Sequence, residues 1–370
     1  MSLRIAIQPD AVEHPNGDHQ SFSRRWFELA PSLGIEALPV DVFASDCVSQ
    51  IAKCDAFMWR CPSSAYPRVY SRRLLYALEA GLGIPVFPSN RSTWFYDDKP
   101  GQSGFLEAAN IPHAITWVFW ERQRAEQFCN HANYPFVLKL AGGHQSSNVR
   151  LLRTRAEALF YVDELFGHGV VSLGYRPASR PYRLLRRLRA AAEIMKGRNP
   201  YGSTPESELQ HGYFYAQEFL AHNEFEISVI VIGRRAFACR RFVSPGDFRT
   251  HGSDGRIDWS PQAIDTDIVR LAFRVARKLR AQTVAVDILR RGAEPVVIEL
   301  TVNYAAWVVA ACPGHWLLEG EPGDGKLAWA EGSKRAADAI LEDFLAEISN
   351  RGLRRGVERQ RPRPQRSSTA

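Results

Sequence analysis

The stretch Tyr134–Leu152, YPFVLKLAGGHQSSNVRLL, decides how the rest of the chain is read. It opens as an apolar run with one lysine, Phe136–Leu140, continues through small and polar residues, Ala141–Ser147, and ends in a second apolar run, Val149–Leu152. That pattern is strand, pliant loop, strand. Lys139 stands between Leu138 and Leu140, and a strand of that kind buries an ammonium only where an anion meets it. Gly142 and Gly143 let backbone N–H groups come close to a ligand, and Ser146 and Ser147 add hydroxyl donors, so the loop suits a polyanion. An ordinary hairpin with a solvated lysine fits the same letters.

Composition bounds the rest. A chain of 370 residues, 45% hydrophobic, is long enough for two or three packed domains. No apolar run approaches the roughly 20 residues of a membrane-spanning helix, and MSLRIAIQPD lacks a signal-peptide pattern. The expectation is a soluble, cytoplasmic protein with no membrane span. Cys47, Cys54, Cys61, Cys129, Cys239 and Cys312 are scattered, without C-x-x-C or Cys/His clusters, and read as reduced thiols. The net charge of +7 is concentrated in the tail: Arg351–Ala370 holds seven arginines and one glutamate, +6, leaving about +1 for the body. No nucleic-acid partner is expected, and the tail, 350–370, reads as disordered.

From the N-terminus, Arg4–Gln8, Glu36–Val42, Ala56–Arg60 and Val86–Phe87 read as strands, alternating with helices over Ser21–Leu33, Asp46–Cys54 and Tyr70–Gly81. This alternation predicts a small parallel α/β domain over 1–92. Asp98-Lys99 opens a helix to about Ala109, and Ile115–Phe119 is a strand. Further strands follow at Tyr213–Leu220, Glu226–Ile232 and Ala236–Val243, then a helix over Gln262–Leu279. Thr283–Leu289 and Pro295–Thr301 form a second hairpin. There Asp287 lies on one strand, while Glu299, Thr301 and Asn303 share a face of the other, with Val296, Ile298 and Leu300 pointing into a core. Carboxylates on paired strands repel unless a cation lies between them, and oxygen donors of this kind suit Mg²⁺. Two rim carboxylates facing water is the plainer alternative.

Taken in order, these features resemble the ATP-grasp superfamily of carboxylate ligases. The resemblance runs through Asp98-Lys99, Pro135–Lys139, the Gly142–Ser147 flap, Gln217–Leu220 with Glu224, Arg240-Arg241, Asp247–Arg249, and Asp287 with Glu299, about residues 90 to 310. The segment from Arg240 to Thr250 is most similar to the amino-acid-ligating branch of glutathione synthetase-type and ribosomal-protein-modifying ligases. The resemblance implies an α/β fold of the α+β ATP-grasp type. A pre-grasp domain over 1–92 would precede a small subdomain over 93–220, with an insert at 167–212, and a catalytic subdomain over 221–349.

It also implies roles. Lys99 and Lys139 would contact nucleotide phosphates, and Gly142, Gly143, Ser146 and Ser147 would close over them. Gln217 would reach the adenine amino group, Glu218 and Leu220 would offer backbone groups, and Glu224 would hold the ribose hydroxyls. Asp287 and Glu299 would bind Mg²⁺, or Mn²⁺ in its stead, with Asn303 as a further ligand. Arg240 or Arg241 would steady the transferring phosphoryl group, and Arg249 the acyl phosphate or the acceptor. Positioning and charge neutralisation suffice for such chemistry, and no Ser-His-Asp or Cys-His grouping is evident.

Two departures stand out. The family's Glu-x-Asn appears here as Glu299-Leu300-Thr301, with Asn303 two residues on, and His251 stands where the related branch has asparagine. The implied function is ligation of a small-molecule or peptide carboxylate to an amine, with ATP consumed to ADP and phosphate. The alternatives are an ATP-binding regulatory or scaffold protein that has lost ligation, and a phosphotransferase. A basic amphipathic helix over Tyr182–Met195 in the insert and a final helix over Ser333–Ile348 complete the reading.

Overall fold

In the computed structural model, residues 2–10, 21–62, 65–142, 148–171, 176–177, 195, 208–244, 247–249, 256–320 and 325–360 are described. Four short strands near the N-terminus are rich in β-branched and aromatic residues: β1 (Leu3–Ile7), β2 (Ile35–Pro39), β3 (Ala56–Met58) and β4 (Val86–Phe87). They pair in parallel in the order β2-β1-β3-β4. Helices α1 (Phe22–Leu29), α2 (Cys47–Ile51) and α3 (Ala65–Ala77) make the crossovers. Ser21 caps α1 by accepting the Arg24 N–H at 3.1 Å. The helix expected to reach Leu33 stops at Leu29 and tightens into a 3₁₀ turn, Ala30–Leu33, where Pro31 has no amide hydrogen to give.

After α4 (Asn90–Thr93) and α5 (Lys99–Ala108), a second sheet forms from β5 (Thr116–Phe119), β6 (Phe136–Lys139), β7 (Val149–Leu152) and β11 (Phe214–Glu218), in the order β5-β11-β6-β7, all antiparallel. The quoted stretch is thus a hairpin with Phe136 opposite Leu152 and Lys139 opposite Val149. α6 (Arg122–His131) and α7 (Arg155–Phe166) cover one face, where Ala125, Cys129, Ala158, Val162 and Leu165 meet Phe136, Leu138 and Phe214. Between α7 and β11, β8 (Val170–Val171), β9 (Arg176–Pro177) and β10 (Leu209–Gln210) make a small separate sheet. Apart from Met195, the helix expected over 182–195 lies outside the described residues.

The largest sheet has seven strands: β12 (Phe225–Ile232), β13 (Arg235–Phe242), β14 (Ile257–Asp258), β15 (Thr283–Arg291), β16 (Glu294–Thr301), β17 (Gly314–Glu319) and β18 (Lys326–Glu331). Its main order is β16-β15-β12-β13-β17-β18, antiparallel throughout, with β14 on β13. α8 (Thr266–Leu279) buries Ile268, Val269, Ala272, Val275, Ala276 and Leu279, spaced at three and four, against Ile227, Val229, Val284 and Val286. On the opposite face, α10 (Ala336–Gln360) packs Ile340, Leu341 and Phe344 between this sheet and the N-terminal one. The buried Trp26 indole N–H donates to the Ala337 carbonyl at 3.0 Å, joining α1 to α10. α10 runs to Gln360, further than the reading that ended it at Ile348 and left 350–370 unstructured; its Arg, Leu and Glu residues extend an established helix at little cost. α9 (Ala306–Ala311) completes the elements.

The expected alternation along β16 is broken. Asp287 pairs with Glu299 but Ile288 pairs with Val297, so Ile298 is an extra residue, a bulge. Val297 therefore joins the core in place of Ile298, which turns to the cavity described next.

Candidate functional site

A cavity of roughly 710 Å³ lies between the β5-β11-β6-β7 sheet and the polar end of the large sheet, within the range of small-molecule sites. Along β12 the cavity face reads Glu226, Ser228, Ile230 at a spacing of two, while Ile227, Val229 and Val231 fill the core behind. Ala285, Asp287 and Leu289 of β15 and Glu299 and Thr301 of β16 continue the same wall.

Lys99 opens α5, whose N-terminus is capped by the Asp98 carboxylate accepting the Gly101 N–H at 3.0 Å. Buried Gln102 binds both backbone groups of Leu300, donating to the carbonyl at 2.8 Å and accepting the N–H at 3.1 Å, and so holds α5 against β16. In consequence the Lys99 Nζ lies 3.0 Å from Glu299 Oε1. Lys139, 5% exposed, donates to the carbonyl of the bulged Ile298 at 3.1 Å, a backbone group without a pairing residue on β15. Arg241 bridges two carboxylates, Glu226 at 2.5 Å and Asp287 at 2.8 Å. Three cations thus interleave three acids contributed by β12, β15 and β16.

The electrostatics follow from burial and proximity. Burial pushes the Lys139 ammonium down to about 8, against the opposing pull of Glu299 and with repulsion from Lys99. Burial alone would raise the Glu299 carboxyl, but Lys99 and Lys139 outweigh it and hold the group below the ordinary glutamate value. Burial would lower Arg241, yet Asp287 and Glu226 raise it further. Above this centre, the Arg249 guanidinium hydrogen-bonds Asp247 (Nη2 to Oδ2, 2.7 Å) and holds its carboxyl well below the usual range.

Lys99, Lys139, Gln217, Glu218, Leu220, Arg241, Arg249, Asp287, Glu299 and Asn303 all line the one cavity. The Gln217 amide nitrogen donates to Thr116 Oγ1 at 3.2 Å, and Glu218 accepts the Ile115 N–H at 2.7 Å and pairs with Arg291. Gly142 is described but does not line the cavity; its Asn148-bound carbonyl lies at the loop's root. Gly143, Ser146, Ser147 and His251 lie outside the described residues.

Two of the expected site residues, Arg240 and Glu224, are not on the cavity wall. Arg240 does not line the cavity: neighbours on a strand face opposite sides, and Arg240 instead lies 4.5 Å from the Phe225 ring centroid while Arg241 takes the cavity side. Glu224 is exposed, in the bend before β12, where its carbonyl accepts the Val243 N–H; Asn223 and Glu226 line the cavity on either side of it. Glu226 was legible as a polar residue two before Ser228 in an apolar strand. Arg60, Tyr96, Tyr304 and Trp307 also line the cavity, and nothing local in the sequence marks them.

The oxygen donors of Asp287 and Glu299, opposite one another in register, have the chemistry of a hard divalent-cation site completed by phosphate oxygens. Among the described residues, no group of three or more His, Cys, Asp or Glu residues has a metal-holding arrangement of its own. Among them too, no helix is long and apolar enough to cross a membrane.

Comparisons with known proteins bear on the fold. Among solved structures, D-alanyl-alanine synthetase A from Vibrio cholerae is similar over 94% of this chain and 99% of its own, at 10% identity and a TM-score of 0.55. N5-carboxyaminoimidazole synthetase from Staphylococcus aureus is similar over 82% of this chain and 71% of its own, at 10% identity and a TM-score of 0.51. A RimK domain ATP-grasp protein from Sphaerobacter thermophilus shares 19% identity over 80% of this chain and 90% of its own, with a TM-score of 0.49. The fold is ATP-grasp, of mixed α/β construction. Within it, residues 202–308 match the RimK-like ATP-grasp domain. No curated protein matches the sequence.

Proposed function

We propose that this protein is an ATP- and Mg²⁺-dependent ligase that joins a carboxylate to an amine through an acyl phosphate. The observation that carries the reading is the convergence of Lys99, Lys139 and Arg241 with Asp287 and Glu299 in one cavity of an ATP-grasp fold. In this reading Gln217–Leu220 receive the adenine, and Lys99 and Lys139 turn from Glu299 and the Ile298 carbonyl to phosphate oxygens. Glu299, relieved of Lys99, and Asp287, relieved of Arg241, would hold Mg²⁺ with Asn303 nearby; the ion would neutralise phosphate charge. Arg241 steadies the γ-phosphoryl group as a substrate carboxylate oxygen attacks phosphorus and ADP departs. The amine nitrogen then attacks the acyl carbon, phosphate leaves, and the nitrogen loses a proton to solvent. Residues 1–92, 93–220 and 221–349 serve as pre-grasp, small and catalytic subdomains.

Incubation with ATP, Mg²⁺ and paired pools of acids and amines tests this. Phosphate release that needs both an acid and an amine supports ligation. Release that yields a stable phosphorylated acid or alcohol supports a phosphotransferase instead. The second reading, nucleotide binding without ligation, draws on Thr301, whose hydroxyl accepts the Asn303 N–H at 3.2 Å in place of a second amide or acid at the metal strand. Tight ATP binding with no phosphate release under any pair supports it.

A further inference from the structure

Both backbone groups of Ala141, two residues past Lys139, are bound by residues distant in sequence. Its carbonyl accepts the Lys99 N–H at 3.3 Å, and its N–H donates to the Tyr213 hydroxyl oxygen at 2.6 Å. Lys99 is the first residue of α5, where an amide has no acceptor within the helix, so the Ala141 carbonyl is what satisfies it. Ala141 therefore ties the backbone that carries Lys99 to the strand that carries Lys139.

Tyr213 is itself held in place. Its buried ring lies against Trp120, with centroids 5.8 Å apart. Burial raises the phenol above its ordinary value and keeps it protonated, so its one proton goes to Gln210 Oε1, at 2.5 Å, and its oxygen is left to accept from Ala141. Buried Gln210 donates in turn to Glu208 Oε2 at 3.3 Å. Arg68 Nη2 donates to both Glu208 oxygens, at 2.9 and 2.8 Å, and its Nη1 to Asp97 Oδ2 at 2.5 Å. Asp97 stands two residues before Lys99, so these contacts close a ring that runs from Ala141 through Tyr213, Gln210, Glu208, Arg68 and Asp97 back to Lys99 and Ala141. A buried polar chain closed in this way leaves the Tyr213 hydroxyl one orientation.

We propose that Tyr213 is a positioning residue: its hydroxyl, oriented by Gln210, fixes Ala141 and so spaces Lys99 and Lys139 as one phosphate-binding pair. The inference rests on the nucleotide reading for the phosphates, whereas the spacing is a property of the free protein. Tyr213 does not line the cavity, so it acts on a ligand only through the lysines. A bond that merely strengthened the fold would weaken every ligand alike. One that spaces the lysines weakens the phosphates' hold and spares the nucleoside, because a displacement of about 1 Å is enough to spoil charge positioning.

The test uses the full chain with two probes, a non-hydrolysable ATP analogue with Mg²⁺ and adenosine, titrated by calorimetry. The variants are Tyr213→Phe, which keeps the ring and its contact with Trp120, and Gln210→Met, which leaves the hydroxyl but removes its acceptor. Trp26→Phe, which loses the buried bond to the Ala337 carbonyl far from both lysines, is the control for lost stability alone. Tyr213→Phe should lower affinity for the ATP analogue about tenfold and leave adenosine within about twofold, Gln210→Met should do the same to a smaller degree, and Trp26→Phe should change neither. Amide hydrogen exchange without nucleotide supplies the second readout. In Tyr213→Phe the Lys99 amide, which does not touch Tyr213, should exchange about tenfold faster along with that of Ala141, while the amides of β11 stay as in wild type. Unchanged exchange at Lys99, an unchanged preference for ATP over adenosine in Tyr213→Phe, or an equal loss of that preference in Trp26→Phe overturns the proposal. If Tyr213→Phe does not fold, Gln210→Met decides by the same two readouts. An ATP analogue that binds wild type no tighter than adenosine counts against the nucleotide reading instead, and the exchange rates still decide whether Tyr213 spaces the lysines.

Discussion

Replacing Lys139 with methionine should make the protein more stable and a poorer nucleotide binder. The side chain is 5% exposed, and burial pulls its ammonium from 10.5 to about 8. A difference of about 2.5 units, at about 1.4 kcal/mol each, means that holding the charge at neutral pH costs the folded state about 3 kcal/mol. Methionine keeps the stem's packing and removes the ammonium, so near pH 7 the variant should be more stable by up to that amount. The pH dependence fixes the sign. Between about 8 and 10.5 the unfolded chain still binds the lysine proton and the folded chain does not, so wild-type stability rises with pH across that window. At about pH 9.5 wild type should have regained about 2 kcal/mol, and its deficit against the variant should shrink to about 1 kcal/mol. Urea denaturation of the two proteins at both pH values measures this, and equilibrium binding of ATP gives the functional side. Wild-type affinity should fall as pH passes about 8, where the ammonium is lost, while that of Lys139→Met should be weaker at pH 7 and flat. A stability difference that does not change with pH, or a variant less stable than wild type at pH 7, refutes the reasoning.

Glu299→Gln should leave the Lys99 ammonium, with a side chain only 4% exposed, without its carboxylate and lower stability by about 2–3 kcal/mol. The same change should raise the Mg²⁺ concentration needed for phosphate release, and a chelator should stop release by wild type until excess Mg²⁺ is added. Gln102→Leu should cost about 2–4 kcal/mol in urea denaturation, because the Leu300 N–H and C=O both lose a buried partner. It should also weaken ATP binding without touching the cavity, since α5 is then free to carry Lys99 away from Glu299.

How much of this was legible in the sequence differs from residue to residue. The Phe136–Leu152 hairpin, the parallel strands near the N-terminus and the facing Asp287 and Glu299 follow from local rules, because a strand's side chains alternate and a charge inside an apolar run stands out. Adjacent arginines at 240 and 241 were legible as a pair in which only one faces a given side. Which one does so depends on how β13 pairs with β12, and that register is set across the sheet. The same holds for Glu226 over Glu224, which turns on where β12 begins. The bulge at Ile298 was not legible, since it arises from mismatched spacing between two strands and leaves no signature in the letters of either.

The sequence alone therefore determined the identities of the charged groups and the elements that carry them. Tertiary structure decided their partners. It put Arg241 between Glu226 and Asp287, brought Lys99 to Glu299 through the clasp of Gln102 on Leu300, and delivered Arg60 from a separate sheet to the same cavity. The reason is range: periodicity fixes the side a residue faces within one element, whereas the meeting of ions on different elements, such as Lys99 and Glu299, depends on how those elements pair and pack.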